Sequence, residues 1–122
     1  MITKYSEVPD HVAAFRASGE VTAKDYEEVL VPLVEEKLSH HKKISLLYSL
    51  GPEFKRFTAG AMWDDTKVGL KHIANWEKIA MVTDVPWLRN TVQCLGFVMP
   101  AKVKVFHDAE FEQAKEWVAS HN

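Results

Sequence analysis

The stretch Lys78-Ile79-Ala80-Met81-Val82-Thr83 decides the fold class of this chain. Residues 79–82 are all apolar, so the strand that they predict is buried on both of its faces. Strands of this kind lie centrally in parallel sheets that are covered by helices. A second β-compatible run, residues 44–50, ends at Gly51-Pro52. The two runs predict two strands of an α/β sheet.

Amphipathic segments stand between and after these strands. Residues 59–75 place apolar side chains along one helical face and predict the crossover helix between the two strands. Residues 86–96 open with a proline in the first turn and predict another helix, and residues 102–105 alternate as a strand. We predict a last helix capped by Asp108. This alternation favours parallel strands joined by right-handed crossovers.

The N-terminal part continues the same pattern. Residues 11–18 predict a strand, for which residues 1–5 are a candidate partner. Thr22, followed three residues later by Asp25, predicts a capped helix start. The apolar stripe of this helix begins at Tyr26, and the proline at position 32 is expected to bend the helix.

Composition limits the functional classes. The 122 residues are 47% apolar and 26% charged, as in ordinary globular proteins, and we expect one domain over residues 1–122. The net charge of -2 provides no basic field for nucleic acid. A single cysteine, no signal peptide pattern and no long apolar run predict a cytoplasmic protein.

Three parts of the sequence carry a family resemblance. They are Ser18 to Tyr26 leading to Pro32, Ala59 to Asp65 with Gly69 to His72, and Pro86 to Leu88 with Val105-Phe106 and Glu116-Trp117. Together they resemble the SpoIIAA-like proteins, which are related to STAS domains, over nearly the whole chain. The resemblance implies a mostly parallel mixed sheet of four or five strands flanked by about four helices. It also implies no enzymatic activity.

A more remote resemblance to the CRAL-TRIO lipid-binding fold implies a pocket for a hydrophobic ligand and contact with a membrane. We therefore expect a noncatalytic module that holds a hydrophobic or amphiphilic small molecule. Peripheral association with the inner face of the membrane is a further expectation.

The phosphoacceptor site of anti-anti-sigma STAS proteins differs in this chain. The matching stretch is Phe57-Thr58-Ala59-Gly60, where Ala59 occupies the phosphoacceptor position and cannot take a phosphate. Thr58 is adjacent, and we interpret it first as a helix N-cap. The alternative function is a STAS-type regulatory interaction module, with Phe57 and Trp63 as anchors for a protein partner.

Two segments provide the candidate binding residues. The predicted loop 51–57 interleaves aromatic and cationic side chains, as at membrane interfaces, although its two phenylalanines could equally fill the edge of the sheet. The segment 87–100 has two apolar rows, so we expect it to pack on the sheet and on a second partner, including a second subunit of a homodimer. The predicted ligand- or membrane-binding residues are Phe54, Phe57, Thr58, Met62, Trp63, Trp87, Leu88, Phe97 and Met99.

Asp64 and Asp65, beside Trp63, have two interpretations. They could mark the polar edge of a pocket, or they could be ordinary partners of the helix dipole in a first turn, which we favour.

No catalytic, metal-binding or cofactor-binding motif is recognisable. The histidines lack the spacing of a zinc site, and no phosphate-binding glycine pattern is present. Cys94 lies on an apolar helical row, where we expect buried packing. We therefore predict no catalytic residue, no metal and no cofactor.

Overall fold

The structure, a computed structural model, describes residues 1–120, and its strands form one mixed sheet. The strands are β1 (Ile2–Lys4), β2 (Val12–Val21), β3 (Ile44–Phe57), β4 (Trp76–Val82) and β5 (Lys102–Phe106). They lie side by side in sequence order. β1 is antiparallel to β2, and all other neighbours are parallel. This architecture confirms the predicted α/β class and the mostly parallel mixed sheet.

Four helices accompany the sheet within the described residues. Helix α1 runs through the consecutive segments Ala23–Asp25, Tyr26–Leu30 and Val31–Leu38, of which the middle one is π-helical; α2 is Ala59–Lys71, α3 is Pro86–Leu95 and α4 is Phe111–Ala119. Short 3₁₀ turns, Ile73–Asn75 and Asp108–Glu110, precede β4 and α4. None of the helices in residues 1–120 has the length and apolar character needed to cross a bilayer.

Local sequence signals explain where α1 begins and where it is irregular. The main-chain N–H of Asp25 donates to the Thr22 hydroxyl (3.3 Å), and the Thr22 N–H donates to the Asp25 carboxylate (2.8 Å), which confirms the predicted cap. The π-helical turn ends directly before the segment that contains Pro32. Because proline cannot donate a main-chain hydrogen bond, this irregularity lies where the sequence predicts one.

The strand order places three helices on one face of the sheet. Each crossover, from β2 to β3, β3 to β4 and β4 to β5, moves one strand in the same direction, so right-handed crossovers put α1, α2 and α3 on a common face. Strands are about 4.8 Å apart, whereas packed helices need about 8–10 Å. Three helices therefore cannot each lie flat above their own strand. The opposite face is left to α4.

Two apolar cores follow from this arrangement. The larger one lies under α1, α2 and α3 and includes Phe15, Tyr26 and Leu88. The smaller one lies under α4 and joins Leu47 of β3 to Val118 of α4. Each strand supplies both cores because successive side chains point to opposite faces.

Strand β3 is longer than the sequence predicts. It continues through Gly51-Pro52 to Phe57, so the prediction of a loop at residues 51–57 is wrong. Leu50 pairs with Ala17 of β2, but Phe54 pairs with Gly19, so the extra residues of β3 form a bulge. A bulge tolerates proline because the ladder hydrogen bonds are interrupted there.

The beginning of the last helical segment also differs from the prediction. His107, rather than Asp108, is the capping position, and its main-chain N–H donates to the Glu110 carboxylate (2.7 Å). Asp108 instead forms the first residue of the 3₁₀ turn. Its main-chain N–H donates to Asp84 (3.1 Å), which ties this turn to the end of β4.

Candidate functional site

A cavity of about 250 Å³ lies on the face of the sheet that carries three helices, between α2, α3 and strands β3 to β5. We call it the α2–α3 cavity. Its lining consists of Leu30, Leu46, Tyr48, Asp65, Thr66, Val68, Gly69, Leu70, Ile73, Trp76, Ile79, Met81, Val92, Leu95, Val98, Met99 and Val103. Most of these side chains are apolar, so the cavity suits an apolar occupant.

Strand alternation builds the floor of the cavity. β3 supplies Leu46 and Tyr48, β4 supplies Ile79 and Met81, and β5 supplies Val103. Leu46 pairs with Ile79, which in turn pairs with Val103, so these side chains stand in one row across the sheet. The floor is therefore set by the register of the central strands.

One corner of the cavity is polar. The buried Tyr26 hydroxyl donates to Asp65 Oδ1 (2.8 Å) and lies 3.0 Å from the Tyr48 hydroxyl. A tyrosine has a single hydroxyl proton. Since Tyr26 donates its proton to Asp65, Tyr48 must donate to Tyr26. This hydrogen-bond chain links α1, β3 and α2, and it presents the carboxyl group of Asp65 at the cavity wall.

Asp65 is an exposed residue at the edge of the cavity. The residue retains solvent exposure, and it lines the cavity while its carboxyl group contacts a fully buried tyrosine. Burial raises the pKa of the Asp65 carboxyl group, and the hydrogen bond from Tyr26 acts in the opposite direction. Burial also raises the pKa of Tyr26 and Tyr48, so both hydroxyls stay protonated at neutral pH.

Trp76 lines the cavity and carries an unpaired polar group that the surrounding protein shields. It is 4% exposed, and its indole Nε1 is buried without a hydrogen-bond partner among residues 1–120. Ile44 pairs with Trp76 but Leu46 pairs with Ile79, so an irregularity in β4 brings Trp76 to the cavity face. Buried N–H groups are rarely unpaired in folded proteins.

A wider depression of about 600 Å³ lies on the other side of α2, facing α1. Its cationic and histidine side chains pair with carboxylates of the same depression. Lys71 and His72 both contact Glu35 (3.3 and 3.0 Å), and Lys67 contacts Asp64 (3.5 Å). Because Lys67, Lys71 and His72 are already paired with carboxylates, the α2–α3 cavity is the better candidate site.

Three predicted aromatic residues pack together outside this cavity. The rings of Phe54 and Phe57 lie 4.9 Å apart, and the rings of Phe57 and Trp87 lie 6.3 Å apart. Phe54 is buried in the larger core. The cluster therefore joins the end of β3 to the beginning of α3.

Thr58 is the N-cap of α2. Its hydroxyl oxygen accepts a hydrogen bond from the main-chain N–H of Ala61 (3.1 Å), as we predicted from the sequence.

The remaining predicted residues divide between surface, core and cavity. Met62 is exposed, and Trp63 and Phe97 are 65% and 90% exposed. Leu88 is buried, whereas Met99 lines the cavity. Among the binding residues predicted from the sequence, Met99 is thus the member that the structure places in the cavity lining.

The two apolar rows of residues 87–100 have different environments. Leu88 and Val92 of the first row are buried against the sheet, while Trp87 and Val98 of the second row are exposed. Cys94 belongs to the second row and is also exposed, so the expectation of a buried cysteine is wrong. Trp87 and Cys94 face outward because α3 uses its other side to cover the sheet.

The histidines do not converge. His41, His72 and His107 each contact a different carboxylate. Within residues 1–120, no three His, Cys, Asp or Glu side chains group together as metal ligands would.

The polar corner could have been found from one signal in the sequence. Tyr26 and Tyr48 both fall in predicted buried elements, and a buried tyrosine hydroxyl needs a polar partner. Asp64 and Asp65 lie beyond the first turn of α2, so the interpretation as dipole partners in a first turn is wrong. The alternative, a polar pocket edge, fits the position of Asp65 in the cavity lining.

Comparisons with known proteins agree with the fold. The family model described as SpoIIAA-like matches residues 12–119. A crystal structure of an uncharacterised protein with a SpoIIAA-like fold from Shewanella loihica is similar at a TM-score of 0.78 and 27% sequence identity. That similarity covers 96% of this chain and 93% of the other. No curated protein matches the chain significantly.

Proposed function

Because the chain belongs to the SpoIIAA-like family, we propose that it is a noncatalytic binding module that holds a small apolar molecule in the α2–α3 cavity. The fold supports a general binding or interaction role. The cavity is the observation that supports the more specific proposal of a small apolar ligand. Protein interiors are close-packed, with few voids larger than a water molecule, whereas ligand pockets are concave and mainly apolar with a few polar groups.

The size of the cavity limits the ligand. At about 30 Å³ for each water-sized group, a volume of about 250 Å³ accommodates about eight non-hydrogen atoms. A medium-length alkyl chain or a single ring system fits this volume. A longer chain would extend past the rim of the cavity.

The rim supports association with a membrane surface as part of the proposal. Leu70, Leu95 and Val98 line the cavity and are also exposed, and the exposed Phe97 is adjacent to Val98. Apolar side chains at an opening favour exchange of an apolar ligand with a lipid phase. Replacing Phe97 and Val98 with serine should reduce sedimentation with phosphatidylcholine–phosphatidylglycerol vesicles, whereas Trp63→Ser should not. Equal sedimentation of all three proteins would contradict this role for the rim.

A regulatory interaction module is the second candidate function. Trp63 is 65% exposed on α2 and does not line the cavity, and Met62 beside it is also exposed. Exposed tryptophans are frequent anchors of protein interfaces. If this function is correct, Trp63→Ala should abolish binding to a protein partner without changing small-molecule binding.

A homodimer is expected from the same exposed apolar surface. Phe97, Val98 and Leu95 are the proposed subunit contacts, and in such a dimer they would face the second copy instead of a lipid phase. Sedimentation velocity at micromolar concentration should give twice the mass of one chain. The mass of a single chain would contradict the dimer and leave the surface to another partner.

Calorimetric titration with octan-1-ol tests the binding proposal directly, because this molecule matches the volume of the cavity. Gly69 lines the cavity, and a Cβ atom added there would meet open space, with no atom outside the local helix backbone within 4 Å. Gly69→Leu should therefore occupy cavity space and weaken binding about tenfold or more, since each lost methylene contact removes about 0.8 kcal/mol. Ala59→Leu, in the exposed first turn of the same helix, is the matched control. No saturable binding, or equal binding by both variants, would contradict the proposal.

A further inference from the structure

Asp65 has no cationic partner within the described part of the chain. The nearby cations on α2 are engaged elsewhere, Lys67 with Asp64 and Lys71 with Glu35. The hydrogen bond from Tyr26 is the one that residues 1–120 provide to the Asp65 side chain. Asp65 is exposed, so its carboxylate is open to a cation that enters the cavity from solvent. The polar corner is therefore short of positive charge.

The other polar groups at the cavity wall are acceptors. Tyr48 donates its proton to Tyr26, so its oxygen retains lone pairs for a further hydrogen bond. The Thr66 hydroxyl donates to the main-chain oxygen of Met62 (3.0 Å) and likewise retains acceptor capacity. The unpaired Nε1 of Trp76 is itself shielded from solvent-accessible space, so it does not add a donor to the cavity. Asp65 Oδ2, Tyr48 and Thr66 together present acceptors without a free donor.

We propose that the ligand carries a primary ammonium group, or a similar cationic hydrogen-bond donor, that binds Asp65 beside Tyr48 and Thr66. An alkyl or ring portion of the same molecule occupies the apolar part of the cavity. Molecules that end in a carboxylate, such as fatty acids, are rejected because their negative charge is repelled by the negative charge of Asp65. This inference rests on the proposed function, since it names the class of ligand for the same cavity.

The environment of Asp65 agrees with a cationic partner. Burial disfavours the ionised carboxyl group and raises its pKa. An ammonium group would form charge-assisted hydrogen bonds with the carboxylate, and such bonds are stronger than neutral ones. A carboxylate ligand would instead have to bind beside a second anion.

The test compares three ligands with the same chain length in the full-length protein at pH 7. Octylamine, octan-1-ol and octanoate share the apolar part and differ in the polar end. We expect octylamine to bind about tenfold more tightly than octanoate, or better, with octan-1-ol between them. Asp65→Asn should remove about tenfold from the affinity for octylamine and leave octan-1-ol within about twofold. Asp64→Asn, the same change at the adjacent residue, should preserve the order.

The outcomes separate this inference from the proposed function. If octan-1-ol binds but octanoate binds as tightly as octylamine or more tightly, the cavity binds ligands and the proposed preference for a cation is wrong. If Asp65→Asn leaves the ratio of octylamine to octanoate unchanged, the inference is also wrong. If none of the three binds, both the proposed function and the inference fail. Thermal unfolding of each variant shows whether it is folded. If Asp65→Asn does not fold, the ratio of octylamine to octanoate affinity in the unmodified protein still decides the inference.

Discussion

The two faces of the sheet differ in how closely the helices pack against them. Leu46 and Leu47 are adjacent in β3, yet Leu47 is almost fully buried under α4 while Leu46 borders the α2–α3 cavity. One helix covers the α4 face closely, whereas three helices compete for space on the opposite face. The same sheet therefore provides a closed core on one side and an open apolar cavity on the other.

One charged residue near each face shows the same difference. Lys78 lies under α4, and its Nζ donates to the main-chain oxygens of Trp117 and Ser120, both at 2.9 Å. Asp65 faces the cavity and receives one hydrogen bond, from Tyr26. Partners within the chain satisfy Lys78, while Asp65 retains capacity for an external partner. We interpret the α4 face as the stabilising face and the cavity face as the functional one.

The largest predicted effect compares the two leucines. Leu47→Ala should lower the free energy of unfolding by about 2–5 kcal/mol, because it opens a void in a closed core. Leu46→Ala should cost less than half as much, because it enlarges an existing cavity and loses fewer contacts. Urea denaturation of both variants measures the difference. Equal losses would show that the two faces are equally well packed.

Removing the buried lysine should have the next largest effect. Lys78→Met keeps most of the side-chain volume but leaves the carbonyl groups of Trp117 and Ser120 without this donor, so we expect a loss of about 1.5–3 kcal/mol in the free energy of unfolding. Lys102→Met changes an exposed lysine on β5 and should be nearly neutral. Similar stabilities for the two variants would contradict a stabilising role for Lys78.

The polar corner of the cavity should contribute less to the free energy of unfolding than Lys78 does. Tyr26→Phe removes the donor to Asp65 and the acceptor for Tyr48, with an expected cost of about 1–2 kcal/mol. Tyr5→Phe removes a hydroxyl that donates to Glu7 in an exposed contact and accepts a long hydrogen bond from Lys115 Nζ (3.4 Å), and it should cost less than about 0.5 kcal/mol. Chemical denaturation distinguishes the two. If Tyr26→Phe is harmless, the hydrogen-bond chain does not stabilise the fold.

The smallest predicted effect is a gain in stability. Gly69 lies within α2, and a Cβ atom there meets open space, so Gly69→Ala should stabilise the protein by about 0.5–1 kcal/mol. At Gly96, a Cβ atom would approach Gln93 O and Val103 Cβ at 3.3 Å. Gly96→Ala should therefore bring no gain. Thermal melting of the two variants checks both expectations, and a loss at position 69 would mean that this side of α2 has no free space.

The sequence predicts the elements better than it predicts the site. Alternating apolar runs and the Thr22–Asp25 cap identify strands and helix starts because these signals are local. The extension of β3 through Gly51-Pro52 depends on pairing with Ala17 and Gly19, and local turn signals oppose it. The length of β3 therefore depends on pairing with residues that are distant in the sequence.

The cavity could not be predicted from residue types alone. Its floor depends on the register of three strands, and its polar corner joins Tyr26, Tyr48 and Asp65 from three separate elements. Predictions based on exposed aromatic character selected Trp63 and Phe97, which lie on the surface. Apolar surface and apolar cavity lining have the same composition, and packing separates them.

Methyl NMR during titration with octan-1-ol tests most directly whether the cavity face is the binding face. We predict saturable shifts for Leu46, Ile79 and Val103, which line the cavity, and none for Leu47, Val82 and Val118, which belong to the core under α4. Gly69→Leu should suppress the shifts, as it should suppress the binding heat. Shifts of equal size on both faces, or no shifts at saturating octan-1-ol, would contradict the α2–α3 cavity as a binding site.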